Sequence, residues 1–234
     1  MSDLVVYGAP LSPFVRKVQA ALHEKGLDYE LEAVNIMPMP DWFVEISPAR
    51  RIPVLRYRPE GEQGIAGTIP DSSAICAFLE RLAPQPRLYP QDPFAHGRAV
   101  WLEEYADSEL ASSIGLGLFR PIMFPRFQGK DSDLDTARET WNEKLPRLFD
   151  YLESVLDGGS RFVGGELSIA DIAVATQLAQ LDLVVGPPGA ARWPALAAHL
   201  EEIKARPGFV ANLQTCAKML KRILPEKVDL SPAA

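Results

Sequence analysis

Cysteine and histidine are scarce in this 234-residue chain, with two of the first and three of the second. Cys76 and Cys216 stand far apart, each within a helical pattern, which suits buried reduced thiols better than a structural disulfide. His23, His96 and His199 have no ligand spacing and no cysteine nearby, and they fall in charged helical segments expected to be exposed, so no metal site is expected. Positive charge is also in deficit: 24 basic against 31 acidic residues leave a net charge of −7, with no basic stripe to hold nucleic acid. Long apolar runs are missing. The most apolar stretch, residues 169–185, is broken by Asp171, Gln177, Gln180 and Asp182, which makes it a poor membrane span. The N-terminus lacks the basic start and apolar core of an export signal. These absences lead to the expectation of a soluble, cytoplasmic protein with neither nucleic acid nor membrane as partner.

What is present is a globular composition, 47% hydrophobic and 24% charged, arranged in two styles. Residues 4–7 form a short apolar strand ended by Gly8-Ala9-Pro10. Ser12-Pro13 then opens a helix whose Phe14, Val18, Ala21 and Leu22 recur at helical spacing until Gly26. Residues 29–34 alternate as a second strand, so the opening is βαβ with parallel pairing. An irregular Pro/Met segment follows, then strand 52–57, a glycine-rich turn, strand 65–69 and a helix over 71–82, which together read as an antiparallel hairpin and its helix. The three prolines Pro84, Pro86 and Pro90 cannot continue a helix and mark a linker at 84–91. Beyond it every segment reads as helix: 96–119, 134–156, 168–184, 194–205 and 208–224. The expected organisation is an α/β domain over 1–83 and an all-helical domain over 92–234.

Three short motifs carry chemistry, and each has a structural reading beside it. Ser12-Pro13 caps and starts a helix in any αβ protein, yet the same helix end offers N–H groups and a positive dipole to an anion such as a thiolate. Pro53 in Arg51-Ile52-Pro53-Val54-Leu55 can simply mark a strand edge. If the Ile52-Pro53 bond is cis, the backbone of Ile52 turns outward and can pair with a peptide-like ligand. Asp71-Ser72 can cap the third helix, or hold a carboxylate on its N–H groups and hydroxyl while Asp71 meets an ammonium group. A γ-glutamyl-cysteinyl-glycine ligand needs all three.

The run from Tyr7 through Gly8-Ala9-Pro10-Leu11-Ser12-Pro13-Phe14-Val15-Arg16-Lys17-Val18 resembles the opening of bacterial serine-type glutathione transferases. Ile52-Pro53-Val54-Leu55 resembles their cis-proline segment, and Asp71-Ser72-Ser73-Ala74-Ile75 their glutamate-binding turn. Residues 162–172 and Ala205-Arg206-Pro207-Gly208-Phe209 resemble two segments of the family's helical half. The resemblance covers nearly the whole chain in order. It implies a thioredoxin-like domain followed by an all-α domain, glutathione as co-substrate, no metal, a homodimer, and thiolate attack on a small hydrophobic electrophile, the chemistry of detoxification. Ser12 is the implied activator of the thiol, with Tyr7 as the alternative. Ser12, Arg51, Ile52, Pro53, Asp71 and Ser72 are the implied glutathione-binding residues. Leu11, Phe119, Met123 and Phe124 are the expected second-substrate pocket, where Arg120 or Arg126 would favour an anionic substrate, although such residues equally pack helical cores. Ser12-Pro13-Phe14-Val15 also resembles a glutaredoxin motif stripped of both cysteines, which argues against dithiol redox catalysis.

One segment departs from the family. Ser47-Pro48-Ala49-Arg50-Arg51 stands where Asn-Pro-x-Gly-Lys is common; Arg51 can replace the lysine toward a glycine carboxylate, while Ala49-Arg50 alters the loop. Asp171, three residues after Ser168, is expected to complete a capping box and serve folding alone. Two alternatives remain open beside conjugation. One is a glutathione-dependent isomerase, dehalogenase or disulfide-bond reductase; the other is a non-catalytic glutathione-binding module of the same fold.

Overall fold

The computed structural model of the chain describes residues 2–230. Strand β1 (Leu4–Gly8) is buried along its whole length because it lies inside a four-stranded sheet of order β2-β1-β3-β4. β2 (Glu30–Ala33) pairs with it in parallel, as the intervening helix α1 (Pro13–Glu24) requires of a crossover connection. β3 (Val54–Tyr57) and β4 (Thr68–Pro70) pair antiparallel, and β3 also runs antiparallel to β1. Helix α3 (Ser72–Leu82) follows β4 directly.

The Pro/Met segment read as irregular contains a helix, α2 (Asp41–Ile46). Phe43 and Ile46, one turn apart, face the sheet and join Val5, Tyr7, Val34 and Val54 in one apolar cluster. Burying two such side chains contributes roughly 1.5–3 kcal/mol each, enough to hold six residues helical without a side-chain cap. In β3, Arg56 is buried, and among the described residues it pairs with no carboxylate. Its guanidinium instead gathers the carbonyls of Gly61, Gly64 and Ala66 at 2.7–3.1 Å, which pins the glycine-rich turn before β4.

The remaining segments are helical. α4 (Pro93–Tyr105) runs on through Ala106–Phe119 into α5 (Arg120–Phe127) without a break. Over Ala106–Phe119 the turns widen, so that the Arg120 N–H reaches back five residues to Gly115. α6 (Leu134–Glu139), a second widened stretch (Thr140–Lys144) and α7 (Leu145–Leu156) form the next continuous helix. The two widened stretches touch where Gly117 lacks a side chain: a Cβ there would meet Thr140 Oγ1 at 2.5 Å. α8 (Ile169–Asp182) is buried on every side and forms the centre of this part of the molecule, followed by α9 (Pro194–Lys204) and α10 (Pro207–Leu220).

Asp171 opens α8 with no exposed surface. Its carboxylate accepts the Ser168 N–H at 2.8 Å, the Ser168 hydroxyl at 2.9 Å and the Phe162 N–H at 3.1 Å. His199 corrects an expectation, for it is 1% exposed. It lies on the apolar face of α9 with Leu196, Leu200 and Ile203, its Nδ1 3.0 Å from the Ser160 carbonyl and its ring edge-on to Phe162.

The chain forms two compact units. One runs to Leu88 and adds Pro207–Asn212 from the far end of the sequence; the other holds Tyr89–Arg206 and the residues from Leu213 on. The division falls inside the segment expected to be a linker, whose first half is anchored. Lys25, itself buried, donates to the carbonyls of Ala83 and Pro86 and pairs with Glu80 at 2.7 Å. Cys76 and Cys216 are both buried, and neither forms a disulfide among the described residues. Among the described residues no helix is long and apolar enough to cross a membrane.

Candidate functional site

The strand register decides which motifs meet. Tyr7 pairs with Val54 across β1 and β3, and Val54 pairs with Pro70 across β3 and β4. The loop after β1, the Ile52-Pro53 bond before β3 and Asp71-Ser72 after β4 therefore open at one end of the sheet. Neighbouring strands lie about 4.8 Å apart, so the two outer motifs are separated by roughly 10 Å, the length of an extended tripeptide.

At the first position the chain turns through Ala9-Pro10-Leu11, closed by the Ser12 N–H donating to Ala9 O at 2.9 Å. Ser12 caps α1, accepting the Val15 N–H on its hydroxyl at 3.4 Å, and Pro13 supplies the first helical residue. Among the described residues the Ser12 hydroxyl proton has no acceptor, which leaves it to donate to an anion above the helix end. Gly8 sets the spacing, because a Cβ there would stand 2.4 Å from Val15 Cγ2. Tyr7 lies one residue before Gly8 with its ring packed into the apolar cluster over α2, edge-on to Trp42.

At the second position the Ile52-Pro53 peptide is cis. The loop before it takes its shape from Ser47, a buried serine whose hydroxyl accepts the Arg51 N–H at 3.1 Å and donates to the Arg51 carbonyl at 2.7 Å. Arg50 adopts φ 52°, the left-handed conformation natural to glycine, and so reproduces the turn that a glycine would make. The Arg51 side chain is exposed and forms no ion pair among the described residues.

At the third position Asp71 holds φ 79° and ψ 132°, a strained backbone for any residue with a Cβ. Its Oδ1 accepts the N–H groups of Ser73 and Ala74 at 2.9 and 3.2 Å, which leaves Oδ2 for a cation. Ser72 is 3% exposed, and among the described residues neither its N–H nor its hydroxyl is hydrogen-bonded. Behind it the buried ammonium of Lys17, on α1, donates to Ser73 Oγ at 3.0 Å.

The residues expected to meet a second substrate fare unevenly. Leu11 is half-buried in the first unit. In the second unit Met123 has no exposed surface and Phe119 only 9%, while Phe124 keeps part of its ring outside with the Arg120 guanidinium 5.4 Å above it. Arg126 is committed to Ser132 and the Ile223 carbonyl, so of the two arginines only Arg120 stays exposed. Among the described residues no group of His, Cys, Asp and Glu could hold a metal ion.

Sequence reasoning missed Asn212, on α10. From 200 residues away its Oδ1 accepts Arg16 Nε at 2.6 Å, while its Nδ2 donates to Pro10 O at 3.0 Å and to Gln19 Oε1 at 2.9 Å. Nothing local in the sequence signals a polar residue reaching that far.

Residues 6–87 match the model of the glutathione S-transferase N-terminal domain and residues 135–202 that of the glutathione S-transferase C-terminal domain. A glutathione S-transferase of Triticum aestivum is 31% identical over 176 residues, covering 74% of this chain and 76% of that protein. The maleylacetoacetate isomerase of Rattus norvegicus is 28% identical over 173 residues, 71% of this chain and 72% of its own length. Across such curated relatives the chain spans between 53% and 76% of their length. Among solved structures, a glutathione S-transferase from Rhodospirillum rubrum F11 superposes with TM-score 0.78 at 26% identity, covering 98% of this chain and 94% of that one.

Proposed function

The chain belongs to the glutathione S-transferase family, and from that premise we propose that it binds glutathione at the open end of the sheet and activates its thiol for attack on a hydrophobic electrophile. The register carries this reading: it gathers a free hydroxyl at a helix end, the Ile52-Pro53 backbone and an unpaired Ser72 within the span of one tripeptide. Ser12 donates to the sulfur, Ile52 pairs with the cysteinyl backbone, and Arg51 meets the glycine carboxylate. Ser72 takes the γ-glutamyl carboxylate and Asp71 its ammonium group.

The energetics are within reach of these groups. A free thiol titrates near ~8.5, and lowering it by ~2 units needs only ~2.7 kcal/mol of preference for the thiolate. One charge-assisted hydrogen bond contributes about 1.5–3 kcal/mol and a helix end about 0.3–1 kcal/mol. The thiolate then forms a carbon–sulfur bond as the electrophile's leaving group departs with its electron pair. Leu11, next to Ser12 in the loop before α1, is the proposed apolar contact for the electrophile. We further propose a cytoplasmic homodimer, which sedimentation distinguishes from a single 25.8 kDa species.

Ultraviolet titration of bound glutathione in wild type, Ser12→Ala and Tyr7→Phe tests the assignment. Ser12→Ala should raise the thiol pKa toward its free value with little loss of affinity, and Tyr7→Phe should leave it in place. A shift in Tyr7→Phe alone rejects Ser12. The rat relative named as an isomerase supports a second reading, glutathione-dependent isomerisation. Turnover of maleylacetoacetate without conjugation of aryl halides or epoxides would select it.

A further inference from the structure

We propose that Asn212 is a positioning residue for Ser12, holding the loop that carries the thiol-activating hydroxyl from beneath. The inference rests on the assignment of Ser12 above. The loop between β1 and α1 is short, and among its hydrogen bonds are the Ser12 N–H to Ala9 O and the Asn212 amide to Pro10 O, which bear on where Ser12 lies. The first belongs to the loop itself. The second is supplied by a side chain 95% buried at the start of α10, a segment that joins the first unit although it follows Pro10 by about 200 residues.

The amide is suited to this because it is donor and acceptor at once. Asn212 Oδ1 meets the buried guanidinium of Arg16 at 2.6 Å, one turn after Ser12 on the same helix. Nδ2 bridges Pro10 O to Gln19 Oε1, and Gln19 in turn donates to the Tyr29 hydroxyl at 3.0 Å. One side chain thus ties the residue two before Ser12 to residues four and seven after it. Movement of the loop against the helix would break that bridge. Close packing reinforces it, for a Cβ on Gly208, four residues before Asn212, would touch Ala20 Cα at 3.1 Å and His23 Cβ at 3.0 Å. The hydrogen bond from Ser12 to a sulfur depends on placement to a fraction of an ångström, so loosening the Pro10 carbonyl should weaken thiol activation more than glutathione binding.

The test is Asn212→Asp, which keeps the acceptor for Arg16 and deletes the donor to Pro10 O. Gln19→Glu serves as its control, placing a carboxylate in the same cluster while the Pro10 contact stays intact. Thiol titration and kcat/KM are measured between pH 6 and 9.5 in both variants, with Ser12→Ala alongside. Asn212→Asp is expected to raise the bound thiol pKa by about half to one unit and to lower kcat/KM about three- to tenfold at pH 6.5. The difference should vanish above the thiol pKa, and glutathione affinity should stay within about twofold. A purely structural role would depress kcat/KM at every pH. Such a uniform loss, an unmoved thiol pKa, or an equal shift in Gln19→Glu overturns the proposal. If Ser12→Ala itself leaves the thiol pKa unmoved, the Ser12 reading fails first and this inference falls with it.

Discussion

Replacing Asp171 should destabilise the protein strongly while leaving glutathione binding by the folded molecule unchanged. The carboxylate has no exposed surface and accepts three hydrogen bonds, two from backbone N–H groups and one from the Ser168 hydroxyl. In Asp171→Ala the hydroxyl can rotate to another partner, but the Ser168 and Phe162 N–H groups are left buried and unpaired. Each such group costs about 1–3 kcal/mol, and loss of the cap adds to this, so the expected destabilisation is about 3–5 kcal/mol. Asp171→Asn is milder, about 2–3 kcal/mol: its carbonyl can still serve Phe162, but its amide faces the Ser168 N–H donor to donor. Against a total stability of ~5–15 kcal/mol these are large fractions, and at ~2–4 °C per kcal/mol the alanine variant should melt about 6–20 °C lower. Urea titration followed by circular dichroism gives the free energies, and calorimetric titration at 10 °C gives glutathione affinity of the folded protein. A loss below ~1 kcal/mol in Asp171→Ala refutes the hydrogen-bond argument. An unchanged melting temperature with weakened glutathione binding would place Asp171 in the site instead.

Three further outcomes follow from single positions. Gly8→Ala drives a methyl group into stiff, buried Val15 and should cost about 1–3 kcal/mol by thermal melting; an unaltered melting temperature would mean that β1 and α1 can separate freely. Arg50→Gly relieves a left-handed arginine and should stabilise by about 0.5–1 kcal/mol in the same assay, whereas destabilisation would show that the side chain holds the loop. At Asp182 burial pushes the carboxyl up, but the ammonium groups of Lys204 and Lys227, each 2.6 Å away, outweigh it and hold the pKa below the usual value. A lowered folded pKa gives stability that is full above the unfolded value near ~3.9 and is lost as pH falls through the folded one. The melting-temperature gap between wild type and Asp182→Asn should therefore be constant above pH ~5 and close below pH ~4; a gap that widens in acid contradicts the pairing.

The parts of the fold that were legible in the sequence are those written in local chemistry. Ser12 and Pro13 announced α1, Asp71 announced α3, and the run from Leu4 to Tyr7 announced β1, because caps and strand patterns act over a few residues. α2 was missed since six residues give a single turn and a half and no periodicity to count; tertiary burial of Phe43 and Ile46 creates it. The widened turns of Ala106–Phe119 leave no mark in a search for a 3.6-residue period. His199 was misplaced although a signal existed, since Leu196, His199, Leu200 and Ile203 share one helical face. For the candidate site, the motifs were readable and were expected to share one ligand, and β3 with β4 was expected as an antiparallel hairpin; the pairing of β3 with β1, which brings the motifs to one end of the sheet, leaves no mark in any local pattern. Asn212 was beyond any local pattern.

The first unit borrows Pro207–Asn212 from the end of the chain, and this sets a timetable for biosynthesis. A ribosome that has released Leu88 has made the whole sheet but none of the residues that meet Arg16, Gln19 and Pro10 from α10. At ~5–20 residues per second, that nascent sheet waits on the order of ten seconds for the Asn212 amide. A fragment cut at residue 88 is frozen permanently in this waiting state, and should be kept soluble by chaperones longer than the full chain requires.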